Sequence, residues 1–79
     1  MKMRTGGCHC GAVRFKAVGE PLGVSHCHCL DCQRVSGAPF VTWATFRTSA
    51  VTFTAGGPRR YASSPKAERA FCADCGTAL

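Results

Sequence analysis

Apolar and polar residues alternate along this chain with the two-residue period of β-strands, and no long helical period is present. Short runs rich in β-branched and aromatic residues lie between glycines and prolines. These runs predict strands over Ala12–Ala17, Leu22–His26, Phe40–Phe46, Val51–Thr54 and Ala70–Cys72. One helical turn is predicted from Leu30 to Ser36, where Gly37 and Pro39 stop it. The pattern therefore predicts an all-β domain with a short helical turn at most.

The clearest strand is Phe40–Phe46, which carries apolar groups on both of its faces. A strand that is apolar on both faces is typical of the middle of a sheet, so we expect a central position. The segment Arg47–Ala50 then predicts a turn into Val51–Thr54, and a hairpin is the simplest connection between the two runs.

The composition is that of a small globular protein. Its 79 residues are 46% hydrophobic and 18% charged, which predicts a single domain over residues 1–79. On folding, a chain of this length buries only about 60–65% of the surface that it exposes when unfolded. We therefore expect an additional stabilising cross-link. No apolar run reaches the ~18 residues of a membrane span, and no hydrophobic stretch follows the basic start. We expect a cytoplasmic protein that does not bind membranes.

The seven cysteines are the candidates to form that cross-link. They form three groups: Cys8-His-Cys10-Gly11, Cys27-His-Cys29-Leu-Asp-Cys32 and Cys72-Ala-Asp-Cys75-Gly76. Short spacings of this kind let neighbouring sulfurs close on one metal ion, and glycine after a pair permits a tight turn. An odd number of cysteines in a reducing compartment favours metal ligation over disulfides. Zn²⁺ is the ion most often held by several thiolates.

Seven sulfurs divide between two tetrahedral sites as four and three. The middle group can supply the three-ligand site by itself, leaving one position open for water or substrate: Cys27, Cys29 and Cys32. The two terminal groups then supply a closed structural site: Cys8, Cys10, Cys72 and Cys75. Structural zinc contributes on the order of 10–16 kcal/mol in zinc-finger peptides, enough to rescue a marginal core.

A different division of the cysteines stays open at this point. The first two groups would share one zinc ion, and Cys72 and Cys75 would form a redox-active dithiol. Gly76 weakens this alternative, because a redox Cys-x-x-Cys normally lies where a helix begins. His9 and His28 each lie between two cysteines, so in extended backbone they face away from the sulfurs.

The net charge of +6 suggests an anionic partner, but it assumes neutral thiols. Seven thiolates on two Zn²⁺ ions would lower it to about +3. Aromatic residues interleaved with lysine and arginine are scarce. The sequence therefore argues against nucleic acid as the partner.

The order of the motifs resembles the glutathione-dependent formaldehyde-activating enzyme family, also called the centromere protein V family. The resemblance runs from Gly6 to Leu79 and uses all seven cysteines. It rests on four motifs: Cys8-x-Cys10-Gly11, His28-Cys29-x-x-Cys32-Gln33-Arg34-x-Ser36-Gly37, Tyr61-x-Ser63-Ser64 and Arg69-x-Phe71-Cys72-x-x-Cys75-Gly76-Thr77-x-Leu79. It implies a zinc-clipped, sandwich-like β-tent similar to methionine sulfoxide reductase B.

The resemblance also implies a function. The resemblance implies that the family's structural zinc is bound here by Cys8, Cys10, Cys72 and Cys75. It implies that the second, catalytic zinc is bound by Cys27, Cys29 and Cys32. The implied activity is that of a carbon–sulfur lyase, in which glutathione and formaldehyde give S-hydroxymethylglutathione. Arg34, Arg59 and Arg60 are candidates to bind the carboxylates of glutathione. Family members generally continue past the last motif with further strands, which this chain lacks, so either the sequence is truncated or a partner chain fills the missing place. An uncovered apolar sheet edge would favour self-association into a homo-oligomer.

Two other functions compete with this enzyme. One is a non-catalytic zinc module that binds protein or nucleic acid, which only the basic charge supports. The other is a dithiol redox switch, which should lose zinc reversibly on mild oxidation.

Overall fold

A computed structural model describes residues 2–79 of the chain and shows a fold made mainly of β-strands. Within these residues lie seven strands, one α-helix and one 3₁₀ turn: β1 (Met3–Gly7), β2 (Arg14–Val18), β3 (Gly23–Cys27), α1 (Leu30–Ser36), β4 (Val41–Thr45), the 3₁₀ turn Thr48–Ala50, β5 (Val51–Ala55), β6 (Arg59–Ser64) and β7 (Ala67–Phe71). The predicted small all-β fold with one short helical segment is confirmed. No helix in the described part of the chain has the length and apolar character needed to span a bilayer.

The strands form three antiparallel sheets. β2 lies between β1 and β5 in a three-stranded sheet, β3 pairs with β4, and β6 pairs with β7. Two-stranded sheets are marginally stable in water unless they pack against something else. The two smaller sheets therefore depend on the helix, on the cysteine groups and on whatever covers their faces.

The predictions of a central strand at Phe40–Phe46 and of a hairpin to Val51–Thr54 are wrong. β4 lies in a two-stranded sheet, and the 3₁₀ turn Thr48–Ala50 leads the chain away to pair β5 with β2. Phe53 of β5 lies opposite Phe15 of β2, with ring centroids 6.2 Å apart and an interplanar angle of 72°. This edge-to-face pair stabilises the β2–β5 pairing, and the local alternation of residues cannot reveal it.

Two strands were not predicted from the sequence, because neither has an apolar alternation. β1 contains Gly6 and Gly7, and β6 is mostly polar. A Cβ atom at Gly6 would lie 2.6 Å from the ring of Phe15, its partner across the sheet. Glycine is therefore required in this strand by the packing of a residue nine positions away.

The helix α1 begins and ends where the sequence predicts. Cys29 is its N-cap and accepts a hydrogen bond from the backbone N–H of Cys32 through its sulfur, at 3.4 Å. Gly37 is the C-cap, and its N–H donates to the carbonyl oxygen of Gln33 at 2.8 Å. The helix thus fixes two cysteines of the middle group relative to each other.

The buried core of the described residues is very small and rich in sulfur. Its members are Cys8, Val13, Ala17, Cys32 and Cys72. The aromatic rings and leucines of this region are at least partly exposed, including Phe40, which is 43% exposed. Such a core buries too little apolar surface to balance the entropy lost on folding. The stability of the fold therefore depends on the interactions that the cysteines make.

Candidate metal centres

Four cysteines from the two ends of the chain meet in one group. The sulfur atoms of Cys8, Cys10, Cys72 and Cys75 all lie within 4.8 Å of one another. The Sγ atoms of Cys8 and Cys10 are 3.6 Å apart, and those of Cys10 and Cys72 are 3.8 Å apart. The structure thus brings together the four residues that the sequence assigns to the closed site. We call them the four-cysteine group.

The first pair of this group lies in a tight turn after β1. The backbone N–H of Cys8 donates to the carbonyl oxygen of Val13, and the N–H of Val13 donates to the Cys8 sulfur at 3.2 Å. Gly11 closes the turn with φ +87°, a conformation that favours glycine. The turn directs both sulfurs toward the C-terminal pair.

The second pair lies in a matching turn after β7. The N–H of Cys72 donates to the carbonyl oxygen of Thr77, and Gly76, with φ +80°, donates to the carbonyl oxygen of Cys72. The two turns are joined directly, because the backbone N–H of His9 donates to the hydroxyl of Thr77 at 3.1 Å. The N-terminal sheet and the C-terminal hairpin are thereby held together.

The other three cysteines form a second group, the three-cysteine group. Cys27 ends β3, Cys29 caps α1, and Cys32 lies in the first turn of α1. Their sulfur atoms also lie within 4.8 Å of one another, and those of Cys27 and Cys29 are 3.3 Å apart. Cys32 is buried, whereas Cys29 is exposed. The group therefore has one side open to solvent.

The sulfur spacing in both groups fits metal coordination. Zinc–sulfur bonds of about 2.3 Å place the sulfurs of a regular tetrahedron about 3.8 Å apart. The shortest sulfur separation in either group, 3.3 Å, is far from the ~2.05 Å of a disulfide, and all seven cysteines are free. Four thiols can close a tetrahedron, whereas three thiols leave one position for another ligand.

The thiols of the four-cysteine group differ strongly in acidity. The side chain of Thr77 lowers the pKa of Cys75 to about 5. The backbone of Ala12 favours the thiolate of Cys10, but the sulfurs of Cys8 and Cys75 outweigh it and raise the pKa of Cys10 to about 12. Negative charge is thus concentrated on Cys75 at neutral pH, and a cation must displace the proton that Cys10 holds.

The thiols of the three-cysteine group also differ in acidity. The backbone N–H of Cys32 lowers the pKa of Cys29 to about 7. The side chain of Cys32 raises the pKa of Cys27 to about 11. Of these two sulfurs, that of Cys29 therefore becomes a thiolate more readily, and the thiolate is the form that binds metal.

An open cleft of about 1040 Å³ adjoins the three-cysteine group. Cys27 and Cys32 are among its lining residues, together with Arg60, Glu68 and Arg69. The lining thus combines candidate metal ligands with cationic side chains, a composition that suits an anionic thiol.

The predicted carboxylate-binding arginines do not lie together. Arg60 lines the cleft and forms a 3.4 Å ion pair with Glu68. Arg34 and Arg59 are exposed and are not among the residues described as lining it. Their role stays a prediction, and Arg60 is the one of the three that lines the same cleft as Cys27 and Cys32.

Two cleft residues were missed as site residues by sequence reasoning. The indole N–H of Trp43 donates to the sulfur of Cys32 at 3.5 Å. Arg69 lies 3.9 Å from Asp31 of α1 and donates to the hydroxyl of Ser63 at 3.3 Å. It therefore links the β6–β7 hairpin to the helix. The place of Arg69 as the first residue of the last motif was its only signal in the sequence.

The histidines lie beside the sulfurs without joining them. The Nδ1 atom of His26 is hydrogen-bonded to the hydroxyl of Thr42 at 2.9 Å. The rings of His26 and His28 both contact Phe40, each at a centroid distance of 5.2 Å. The two described clusters of candidate metal ligands are composed of cysteine alone.

Comparison with known proteins agrees with this geometry. Residues 3–79 match the sequence profile of the family described as glutathione-dependent formaldehyde-activating enzyme. An uncharacterised lyase of Schizosaccharomyces pombe is 38% identical over 74 residues, which is 94% of this chain and 53% of that protein. A protein of Halomonas elongata, named "Putative glutathione-dependent formaldehyde-activating enzyme", is 46% identical over 33 residues, covering 40% of this chain and 21% of that protein. The chain thus spans about half the length of the Schizosaccharomyces pombe relative.

Proposed function

Because this chain belongs to the glutathione-dependent formaldehyde-activating enzyme family, we propose that it joins glutathione to formaldehyde as a carbon–sulfur lyase. Zinc occupies both cysteine groups in this proposal, with a structural role in the four-cysteine group and a catalytic role in the three-cysteine group. The setting is the cytoplasm, where thiols stay reduced and glutathione is present.

The observation that carries the proposal is that two cysteines of the three-cysteine group line an open cleft. Cys27 and Cys32 line the cleft, and Cys29 is exposed beside them. A three-thiol set leaves one coordination position free, whereas a closed four-thiol set does not. Zinc held by this group would therefore offer a coordination position to a thiol that enters the cleft.

The reaction forms one bond and transfers one proton. The sulfur of glutathione adds to the carbonyl carbon of formaldehyde, the π electrons move to oxygen, and the proton of the thiol ends on that oxygen. The product is S-hydroxymethylglutathione, and no oxidant or reductant is needed. Zinc in the three-cysteine group would lower the pKa of the incoming thiol.

The residues of the cleft bind and orient the thiol. Arg60 offers a guanidinium group to a carboxylate, and its competing ion pair with Glu68 is solvent-exposed and weak. Arg69 lines the cleft and connects the β6–β7 hairpin to α1 through its 3.9 Å ion pair with Asp31. Trp43 covers one side of the Cys32 sulfur and donates a hydrogen bond to it.

Glutathione is expected to perturb the metal bound by the three-cysteine group. Cobalt substituted for zinc would report this as a change in its visible spectrum when glutathione is added. The same mixture should form S-hydroxymethylglutathione from formaldehyde faster than the uncatalysed reaction, as followed by NMR. An unchanged cobalt spectrum at saturating glutathione would rule out the proposed role of this site.

Replacing Arg60 by alanine is expected to raise the KM for glutathione about tenfold or more, with a smaller change in kcat. The reason is the loss of one charge-assisted hydrogen bond to a carboxylate, worth roughly 1.5–3 kcal/mol. Steady-state kinetics with varied glutathione measures it. Arg59→Ala is the matched control, since it removes the same charge from a neighbouring residue that does not line the cleft. Equal effects of the two substitutions would show that only net charge matters.

A further inference from the structure

The sulfurs of the three-cysteine group come from two different elements of the fold. Cys27 is the last residue of β3, whereas Cys29 caps α1 and Cys32 lies in the first turn of that helix. The distance between the sulfurs of Cys27 and Cys32 therefore depends on how α1 packs against the β3–β4 hairpin. A contact that fixes this packing also fixes the geometry of the group.

A side-chain hydrogen bond joins the helix to the hairpin at one of these sulfurs. The indole Nε1–H of Trp43, in β4, donates to the Sγ atom of Cys32, in α1, at 3.5 Å. β4 pairs with β3, and Trp43 lies opposite Ser25, two residues before Cys27. Because Trp43 and Cys27 belong to the same hairpin, the hydrogen bond also sets the Cys32 sulfur relative to Cys27.

The burial of Cys32 strengthens this contact. Cys32 is 1% exposed, so water does not compete for its sulfur as it does at the surface. Metal binding removes the proton of a thiol, and the sulfur then carries negative charge. An N–H group makes a stronger hydrogen bond to a charged acceptor than to a neutral one. The contact between Trp43 and Cys32 is therefore stronger when the group holds a metal ion than when it is empty.

We propose that Trp43 is the positioning residue of the three-cysteine group, where its indole N–H holds the Cys32 sulfur in the orientation that binds metal. This inference rests on the part of the proposed function that places metal in this group. Replacing a residue that hydrogen-bonds to a metal ligand typically lowers metal affinity by about 10–100-fold. The sulfurs of the four-cysteine group are hydrogen-bonded by other residues, Val13 and Thr77, so the effect of Trp43 is confined to one group.

The chain contains one tryptophan, so a tryptophan analogue supplied during expression replaces Trp43 alone. Benzothienylalanine exchanges the indole N–H for a sulfur atom and keeps both fused rings. Fluorotryptophan keeps the N–H and is the matched control. Trp43→Phe also lacks the N–H and is a second variant with the same expected direction.

Competition with a chelator measures the affinity of each group for Cd²⁺. Benzothienylalanine is expected to lower the affinity of the three-cysteine group about 10–100-fold, whereas fluorotryptophan leaves it unchanged. The four-cysteine group is the internal reference, because its affinity should be equal in all of these proteins. Equal losses with the two analogues would assign the effect to ring packing and would overturn the proposal.

NMR of the cadmium-loaded chain detects the hydrogen bond itself. With ¹¹³Cd in both groups, we expect a scalar coupling between the single indole proton and one ¹¹³Cd nucleus, transmitted through the Cys32 sulfur. A tryptophan that only fills space beside the group would give no such coupling. Its absence would overturn the role of Trp43.

These measurements separate the role of Trp43 from the proposed reaction. They use neither glutathione nor formaldehyde, so loss of the coupling in a chain that forms S-hydroxymethylglutathione would reject the role of Trp43 alone. A chain that shows the coupling and the expected loss of affinity but forms no S-hydroxymethylglutathione would support that role and reject the reaction. A chain that binds metal only in the four-cysteine group would overturn both.

Discussion

Cys72→Ser is expected to unfold the chain and to release zinc from the four-cysteine group. Cys72 is 1% exposed and belongs to a core of five described residues, two of which, Cys8 and Cys72, are candidate metal ligands of this group. Structural zinc contributes on the order of 10–16 kcal/mol in zinc-finger peptides. A chain of this size has a stability of only about 4–12 kcal/mol. Loss of one ligand therefore removes a free energy comparable with the whole stability.

Circular dichroism and metal analysis measure this result, and Cys32→Ser is the matched control. Cys32 is also 1% exposed, so both substitutions bury the same hydroxyl group. Cys32 belongs to the three-cysteine group, however, and its loss should reduce the zinc content from about two ions to about one while the fold remains. If the two variants unfold equally, the buried serine hydroxyl causes the unfolding, and not the loss of the metal site of the four-cysteine group.

Cys29→Ser is expected to abolish catalysis without loss of the fold. The substitution removes one of three ligands, and we expect at least a ~100-fold loss of turnover together with the loss of one zinc ion. The fold should survive, because the Cys29 sulfur caps α1 and serine is itself a good N-cap. The rate of S-hydroxymethylglutathione formation and the zinc content of the same preparation measure both effects.

A comparison with Cys29→Ala separates the ligand from the cap. Alanine removes both, so it should lower the stability by about 1 kcal/mol more than serine while losing the same activity. If Cys29→Ser keeps two zinc ions and full activity, the three-cysteine group is not the catalytic centre. Retention of activity with only one zinc ion would likewise contradict the proposed role of the second ion.

The local pattern predicts the strands better than their pairing. The helix over Leu30–Ser36 is confirmed, because its cap residues and the glycine that ends it are next to it in sequence. The hairpin between Phe40–Phe46 and Val51–Thr54 is wrong, because the partner of β5 is chosen by Phe15 of a distant strand. Cross-strand packing depends on residues that no local window contains.

The candidate site was also predicted from the sequence only in part. The four-plus-three grouping of the sulfurs is favoured by the number and spacing of the cysteines, and the structure brings the same residues together. The positions of the arginines do not follow from spacing. Arg59 and Arg60 are neighbours in sequence, but Arg60 alone of the two lines the cleft. Trp43 contacts Cys32 only because β4 packs beside α1.

The sequence by itself determined that the sulfurs within each motif can share an ion, since close spacing limits where the chain can direct them. It left two divisions of the three motifs open, and the structure brings together the four-plus-three one. The sequence also determined the family, through motifs that span most of the chain. Only the tertiary structure decided that Cys27 and Cys32 line a cleft together with residues of β4, β5, β6 and β7. These elements come from three different sheets, and the free energy of bringing them together is a property of the assembled surface and not of any local segment.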